Sequence, residues 1–573
     1  NLETKFVAAN TLVGIERPSQ QSFAQKVVRE LEKRLKEIRR QYFTADTRPK
    51  KLKLQKDDKE LRKQIAEELI KIGLRETIAD KIADWDPYAP NTIADWFDPE
   101  WMFGIANGFS IVIGNPPYVN VEKIDKTIKD NISKFRTAYQ KYDLYVLFYE
   151  KAIDLLKPNG QLSYITSNKF LSQGYGLFLR KEFLKYHIHS VINFNYDIFK
   201  SATVRTCIFN LQKSNFINKN IRIIDIQTKK DEDKFVHLNY NFLDQNIFNE
   251  TDENNFRINL TNRKIEILNK IKQNTIKADN IFSVNYGLRP SSEKLGLKKE
   301  SFIHSNNNGG NYKKYFEGKD MGQWTIKSYS FLNYQPTVMY NPMFSELFEN
   351  KKLVGIRTLS DIEKLRFIYD DDDFYCNDSV VVLVLWYLLE HVKNQTIIRT
   401  ITNEKIEYSK KFNYFYAQGI LNSRLIKFYV SELLYDGTHF YPNHIKSLPI
   451  KNIQLSQQQP IISLVGYIVF LKRHGNTTIS NIVTNENIVA YFEKIIDACV
   501  YELYFEDEIK SSNTDILALL NESLSNVTSL PVEKQINQLF SELNDYKNEI
   551  RNRIILQETH SNSVSQIIKT MCQ

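Results

Sequence analysis

Cysteine, histidine and tryptophan are scarce in this sequence of 573 residues, which holds four, nine and five of them. Cys207, Cys376, Cys499 and Cys572 stand far apart and form no Cys-x-x-Cys pair. That spacing excludes a disulfide framework and a cysteine-rich zinc site, and it suits a reducing cytoplasm. Long apolar runs are missing too. The longest, 380–389 and 462–471, reach about half a membrane span, so no membrane partner is expected. No signal peptide is expected from the opening residues. Charge of one sign is only mildly in excess, with 77 Lys+Arg against 68 Asp+Glu and a formal charge of +9. A 42% hydrophobic share excludes disorder for the bulk of the chain, and the length predicts several domains. What the sequence does have is Phe and Tyr, 35 and 32 of them, residues that serve cores and base stacking equally well.

The basic surplus gathers between residues 29 and 63, in Lys33-Arg34, Arg39-Arg40 and Lys50-Lys51. Apolar residues recur there at helical spacing: Phe23, Val27, Leu31, Leu35, Ile38, then Leu61, Ile65 and Leu69. The pattern predicts a helical hairpin broken at Thr47-Arg48-Pro49, whose basic face is either simply solvated or in contact with nucleic-acid phosphates. After it, strands alternate with helices. Strands are expected at 109–114, 161–166, 190–195 and 206–211, and helices at 144–156 and 176–186. Lys157-Pro158-Asn159-Gly160 is expected to stop the first helix. Such alternation argues an α/β domain with a largely parallel sheet. Residues 218–257 read as polar and irregular, 260–277 as helical, 281–452 as mixed short strands and turns, and the remainder as mostly helical.

Chemistry concentrates in Ile111-Val112-Ile113-Gly114-Asn115-Pro116-Pro117-Tyr118. An Asn-Pro-Pro-Tyr arises by chance in a chain this long roughly once in a thousand sequences. Here it follows an apolar strand, where open α/β sheets place their ligands. The alternative is a rigid turn after a strand. The residue types suit methylation of an exocyclic amine such as adenine N6, whose lone pair is delocalised into the ring. Two acceptors aimed at its two N–H bonds free that pair for in-line attack on a sulfonium methyl. The Asn115 side-chain oxygen offers one and the Pro116 carbonyl the other, with Pro117 stiffening the turn. Tyr118 offers a ring face to a base removed from its stack. No metal, nucleophile or tuned base is required.

These residues resemble the N6-adenine DNA methyltransferase part of Eco57I-type (type IIG or IIS) restriction–modification proteins. The likeness extends to Lys141-Tyr142-Asp143-Leu144-Tyr145, Phe148-Tyr149-Glu150-Lys151-Ala152, Leu155-Leu156-Lys157-Pro158 with Gly160, and Asn193-Phe194 followed by Ile198-Phe199 and Val204. The stretch from Phe6 to Gly14 looks like the block that precedes the Asn-Pro-Pro-Tyr strand. The resemblance implies that Asn10, Thr11 and Leu12, with Phe148, bind the adenine of S-adenosyl-L-methionine. It implies also that Asn115, Pro116, Pro117 and Tyr118 hold a flipped target adenine and that Phe199 stacks on its other side. Phe148 could instead be a core residue, and Asn10 a turn residue.

Two departures stand out. Ser110 occupies a position where the family often has Asp. The family's acidic, glycine-rich cofactor loop is absent, Gly174-Tyr175-Gly176 reading as a turn. The expectation is therefore a chain lacking the first strands of its catalytic sheet, with an incomplete cofactor site. Its partners would be double-stranded DNA and the upstream nuclease and cofactor-loop segments of a longer protein. Glu508-Ile509-Lys510 falls in a helical acidic stretch and does not make a nuclease site. The run from Asp370 to Asp373 reads as a solvated loop, and no metal is expected.

The expected fold class is α/β, with a Rossmann-like S-adenosylmethionine-dependent methyltransferase sheet carrying a helical insertion. A mixed α+β target-recognition domain and a helical C-terminal region would follow. The boundaries drawn are 1–218 for the catalytic part with its insertion at 20–85, 219–280 for a helical connection, 281–452 for recognition and 453–573 for the helical region. In the recognition part, Arg289, Lys319 and Arg357 are candidates for DNA contact. The expected function is site-specific adenine-N6 methylation in the cytoplasm of a bacterium or archaeon. The alternative is a DNA-recognition fragment that is inactive alone. RNA or a protein amide as substrate is disfavoured by the DNA-reading half.

Overall fold

The computed structural model describes residues 5–15, 23–89, 92–199, 204–214, 220–229, 240–292, 295–307, 309–359, 361–435, 440–474, 483–559 and 563–572. It divides into two compact units, residues 1–259 and 260–573.

The first unit opens with the short strand β1 (Ala8–Ala9) and the hairpin of α1 (Phe23–Thr44) and α2 (Arg48–Lys71). Pro49 sits in the first turn of α2, where its missing N–H costs nothing. Leu35, Leu61, Ile65 and Leu69 are buried, and each contributes about 1.5–3 kcal/mol. One position slips: Val28 is buried and Val27 exposed. The basic face is also less free than a solvated stripe. Arg39 and Arg62 both donate to the fully buried Asp58 carboxylate, at 2.9 and 2.7 Å, and Arg40 pairs with Glu37. Helix α3 (Glu76–Asp84), strand β2 (Ile93–Ala94) and helix α4 (Pro99–Phe103) follow. β1 and β2 pair in parallel as a separate two-stranded sheet.

The main sheet begins at β3 (Phe109–Gly114), within the bounds the sequence predicts. Gly108 turns the chain into it at φ +80°, and a Cβ there would lie 2.7 Å from the Leu155 carbonyl. Helices α5 (Lys126–Ile132) and α6 (Tyr145–Leu155) lead to β4 (Leu156–Ser167). Then come α7 (Leu177–Phe183), β5 (His187–Phe194), β6 (Thr206–Gln212), β7 (Asn220–Ile226) and β8 (Asn241–Asp244). The order is β3-β4-β6-β5-β7-β8. β3 lies parallel to β4 and β5 to β7, whereas β6 is antiparallel to both β4 and β5. The sheet is therefore mixed, with β3, β4, β5 and β7 running one way.

Two sequence expectations change here. The segment 218–257, read as irregular, supplies β7 and β8. In β7 the buried Ile221, Ile223 and Ile226 alternate with the exposed Arg222 and Asp225, with Ile224 buried as well. Residues 157–160 do not separate helix from strand: β4 starts at Leu156, and its pairing with β3 jumps from Leu156 to Gln161. They form a bulge, with Asn159 at φ +63° and its N–H bonded to the Lys213 carbonyl.

The second unit contains a four-stranded antiparallel sheet ordered Phe282–Tyr286, Val380–Leu385, Lys352–Ile356 and Phe367–Asp370. A second four-stranded sheet joins Ile303–His304, Ser330–Asn333, Tyr312–Phe316 and Tyr375–Cys376. Strand Val380–Leu385 is buried at every position, which explains its unbroken apolar run. Asp370 corrects the expected solvated loop. Its side chain is 1% exposed and sits 2.6 Å from the ammonium of Lys352, itself 0% exposed. Asp371 and Asp372 pair with Arg473 and Lys314. Beyond residue 452 the described elements are helices, including Leu455–Arg473 and Asn485–Tyr504, and Glu508-Ile509-Lys510 lies in the helix Glu506–Ser511. No described helix is long and apolar enough to cross a membrane.

Candidate active site at the carboxyl end of the sheet

β3 delivers Asn115-Pro116-Pro117-Tyr118 at its carboxyl end. Asn115 is exposed, Pro116 buried, Pro117 exposed and Tyr118 half-buried. Among the described residues, neither the Asn115 side chain nor the Pro116 carbonyl is engaged in a hydrogen bond. Both acceptors of the motif are thus unengaged among the described residues. Tyr118 is anchored instead. Its hydroxyl donates to the Ile165 carbonyl on β4 at 3.1 Å, and burial pushes the phenol up to about 12. Its ring meets the Tyr145 ring at 6.1 Å and the Phe199 ring at 6.4 Å, both edge-on.

The segment after Tyr118 is clamped, and the clamp explains the sequence block at 141–145. Leu144 N–H donates to the Val119 carbonyl at 2.8 Å, and Val121 N–H to the Tyr142 carbonyl at 2.9 Å. Asn120 bonds Lys141 and Asp143 through its side-chain amide. Tyr145 then enters α6 buried, its hydroxyl 2.7 Å from that of Tyr175, so the Gly174–Gly176 turn braces the helix that backs the motif. Tyr149, one turn on, shares a hydrogen bond with Thr166 at 3.0 Å. Cys207 is fully buried beside these groups, and burial raises its thiol to about 12.

The structure brings Tyr118 and Phe199 together. Asn10, Thr11, Leu12 and Phe148 are all half-buried. Gly14, four residues past Asn10, comes near the tip of a side chain of α6: a Cβ on it would be 3.9 Å from the Lys151 ammonium. Asn10 itself makes a turn, its N–H bonded to the Ala94 carbonyl and its side-chain oxygen accepting from Leu12 N–H at 3.3 Å. Ile111 and Ile113 project from β3 at 64% and 78% exposure, and no strand among the described residues pairs with the outer edge of β3.

In the second unit, the three recognition candidates gather around one turn. Arg289 donates to the Asp378 carboxylate at 2.7 Å, and Arg357 to the Asp378 carbonyl at 2.9 Å. Lys319 pairs with Glu317, and the neighbouring Gly318 N–H donates to the Ser379 hydroxyl. Gly287 permits the approach, since a Cβ there would lie 2.2 Å from the Asn377 carbonyl oxygen. Tyr286 and Tyr441 flank the Arg357 guanidinium at 5.0 and 5.6 Å. Sequence reading missed Asp378 and these two rings, because nothing local marks them as partners of Arg357.

Residues 19–199, which hold the motif, its clamp and Phe199, match the family described as Eco57I restriction-modification methylase. This part of the chain is similar to Eco57I-type restriction-modification methylases. A protein of Methanocaldococcus jannaschii assigned as the type II restriction enzyme and methyltransferase RM.MjaORFECS2P is 26% identical over 70% of this chain and 32% of its own length. The type II restriction enzyme and methyltransferase RM.Eco57I of Escherichia coli is 34% identical over 19% of this chain and 12% of its own. The chain thus spans a third or less of the length of these relatives. Among solved structures, the Type IIL restriction-modification enzyme MmeI in complex with DNA has a TM-score of 0.42, at 12% identity over 79% of this chain and 61% of that one.

Proposed function

We propose that this chain is the methylating and sequence-reading part of a restriction–modification enzyme, acting on adenine N6 in double-stranded DNA. The observation that carries the reading is the pair of unengaged acceptors on Asn115 and Pro116, held beside the Tyr118 ring at a strand's carboxyl end. The Asn115 oxygen and the Pro116 carbonyl take one amine N–H each, localising the nitrogen lone pair, while the Tyr118 ring supports the base. A base stacked between two rings needs about 7 Å, two layers of about 3.4 Å. Tyr118 and Phe199 stand 6.4 Å apart and tilted, so Phe199 turns aside as the base enters. Burial keeps the Tyr118 phenol neutral, and it acts as a platform rather than a base.

S-adenosylmethionine, when bound, supplies the electrophilic methyl group. The half-buried Phe148 and the half-buried Asn10, Thr11 and Leu12 are assigned to its adenine end. Its methionine end belongs, on this reading, to a preceding segment of a longer protein that also covers the open edge of β3 and the exposed Ile111 and Ile113. We assign base reading to residues 281–452, around the cluster of Arg289, Arg357 and Lys319, and supporting packing to the helices that follow. Incubation of the longer protein, with that preceding segment present, with methyl-labelled S-adenosylmethionine and unmethylated duplex DNA tests the proposal. Label recovered as N6-methyladenine supports it. Label at cytosine, or in RNA or protein but not in DNA, overturns it.

A further inference from the structure

The loop that carries Phe199 is tied to the sheet by a set of polar side chains of which the sequence blocks include only Asn193. Asp225, at the end of β7, accepts three amide hydrogen bonds: from Asn193 at 2.7 Å, from Asn195 at 2.8 Å and from Gln227 at 2.8 Å. Asn193 also donates to the Asn195 side-chain oxygen at 3.2 Å and accepts from Asn168, just past β4, at 2.9 Å. Asn195 N–H donates to the Ile226 carbonyl at 2.9 Å. These groups connect the carboxyl ends of β4, β5 and β7. On the apolar side, Tyr196 and Ile198 pack against Phe194, Ile224 and Ile226. The chain leaves β5 held on two faces, and the next ring, Phe199, arrives against Tyr118.

A purely structural role would not need so many exchangeable amides on one carboxylate. Asn193 is buried, and its two amide hydrogens are taken by the Asn195 side-chain oxygen and the Asp225 carboxylate. Asn195 instead lies outside the strand and spends its side chain and its N–H fixing the first residue of the loop. We propose that Asp225, with Asn193 and Asn195, positions Phe199 for stacking on the target base. None of the three touches the reacting atoms, and each acts through the path of the loop 195–199. The inference rests on the methylation reading given above and deepens it.

The test compares the wild-type protein with Asp225→Ala, Asp225→Asn and Asn195→Ala. Its readouts are steady-state methylation and the fluorescence of 2-aminopurine placed at the adenine that the wild type methylates. In Asp225→Ala, kcat falls on the order of tenfold to a hundredfold while KM for S-adenosylmethionine stays within about twofold. The 2-aminopurine signal on binding changes because the extruded base loses its second stacking face. Asp225→Asn retains an acceptor oxygen for the amides and restores most of the activity. Asn195→Ala reproduces the defect with the carboxylate intact, and amide exchange in peptides covering 195–199 speeds up in both alanine variants. An unchanged kcat and 2-aminopurine signal in both alanine variants would overturn the proposal. So would a defect confined to thermal stability. A wild type that does not methylate adenine would refute the underlying reading instead, and the exchange data would still report whether the carboxylate holds the loop.

Discussion

Replacing Tyr118 separates its ring from its hydroxyl. The hydroxyl makes one neutral hydrogen bond, to the Ile165 carbonyl at 3.1 Å, and the ring contacts Tyr145 and Phe199. Tyr118→Phe removes only the hydrogen bond, a loss of about 0.5–1.5 kcal/mol, which is at most about tenfold in kcat/KM. Tyr118→Ala also removes a stacking platform worth about 1–3 kcal/mol per base, a loss of about 5- to 150-fold. The phenol is pushed up to about 12 by burial. It stays protonated from about pH 6 to 9, so the pH–rate profiles of wild type and Tyr118→Phe superimpose there. Methylation kinetics at saturating S-adenosylmethionine across that range, for the three proteins in parallel, give the comparison. A Tyr118→Phe variant as impaired as Tyr118→Ala, or one that loses a limb of the pH profile, would show that the hydroxyl does chemistry and would refute the platform role.

Three other outcomes follow from the same geometry. Lys352→Met leaves the Asp370 carboxylate buried without its cation, at a cost of about 3–5 kcal/mol at neutral pH. Burial already raises the Asp370 acid, so the loss shrinks as pH falls and the acid protonates; urea melts at two pH values measure it. Asp497 is raised by burial from 3.8 to about 6. An acid raised in the folded state opposes folding once ionised, so its cost is absent below about pH 4 and grows to about 3 kcal/mol as pH rises through 6. The stability difference between wild type and Asp497→Asn therefore moves against the wild type across that window. Lys319 and Arg289 are exposed enough to reach phosphates or base edges, at 74% and 52%. Substituting either by Ala weakens DNA binding, and removing a phosphate contact lowers the salt slope by about one; an unchanged slope and affinity for both would place DNA elsewhere.

Much of the first unit was legible because its signals are local. β3 ends at Gly114 as its apolar run and the following prolines require, and the hairpin breaks where Pro49 allows a new first turn. The block at 141–145 could be recognised in the sequence, yet its role as a clamp on Val119 and Val121 depends on a backbone approach across some twenty residues. β7 was overlooked although Asn220-Ile221-Arg222-Ile223 alternates as a strand should, because the surrounding residues are polar. Asp370 was misread because four consecutive acids look solvated, and only the sheet register brings Lys352 opposite it. The Asp225 network was invisible for the same reason. Its members are 59 residues apart at the extremes and meet only through the pairing of β4, β6, β5 and β7 in one sheet.

The central claim is that the Asn115 side chain and the Pro116 carbonyl activate an adenine amine, and the direct measurement is N6-methyladenine formed by wild type and Asn115→Ala. Mass spectrometry of nucleosides from duplex DNA treated with each protein and S-adenosylmethionine reads it. The side chain is exposed and unengaged, so its removal leaves the fold and DNA affinity intact while the product falls by at least about a hundredfold. With the preceding segment present in both proteins, equal and substantial yields of N6-methyladenine would contradict the account.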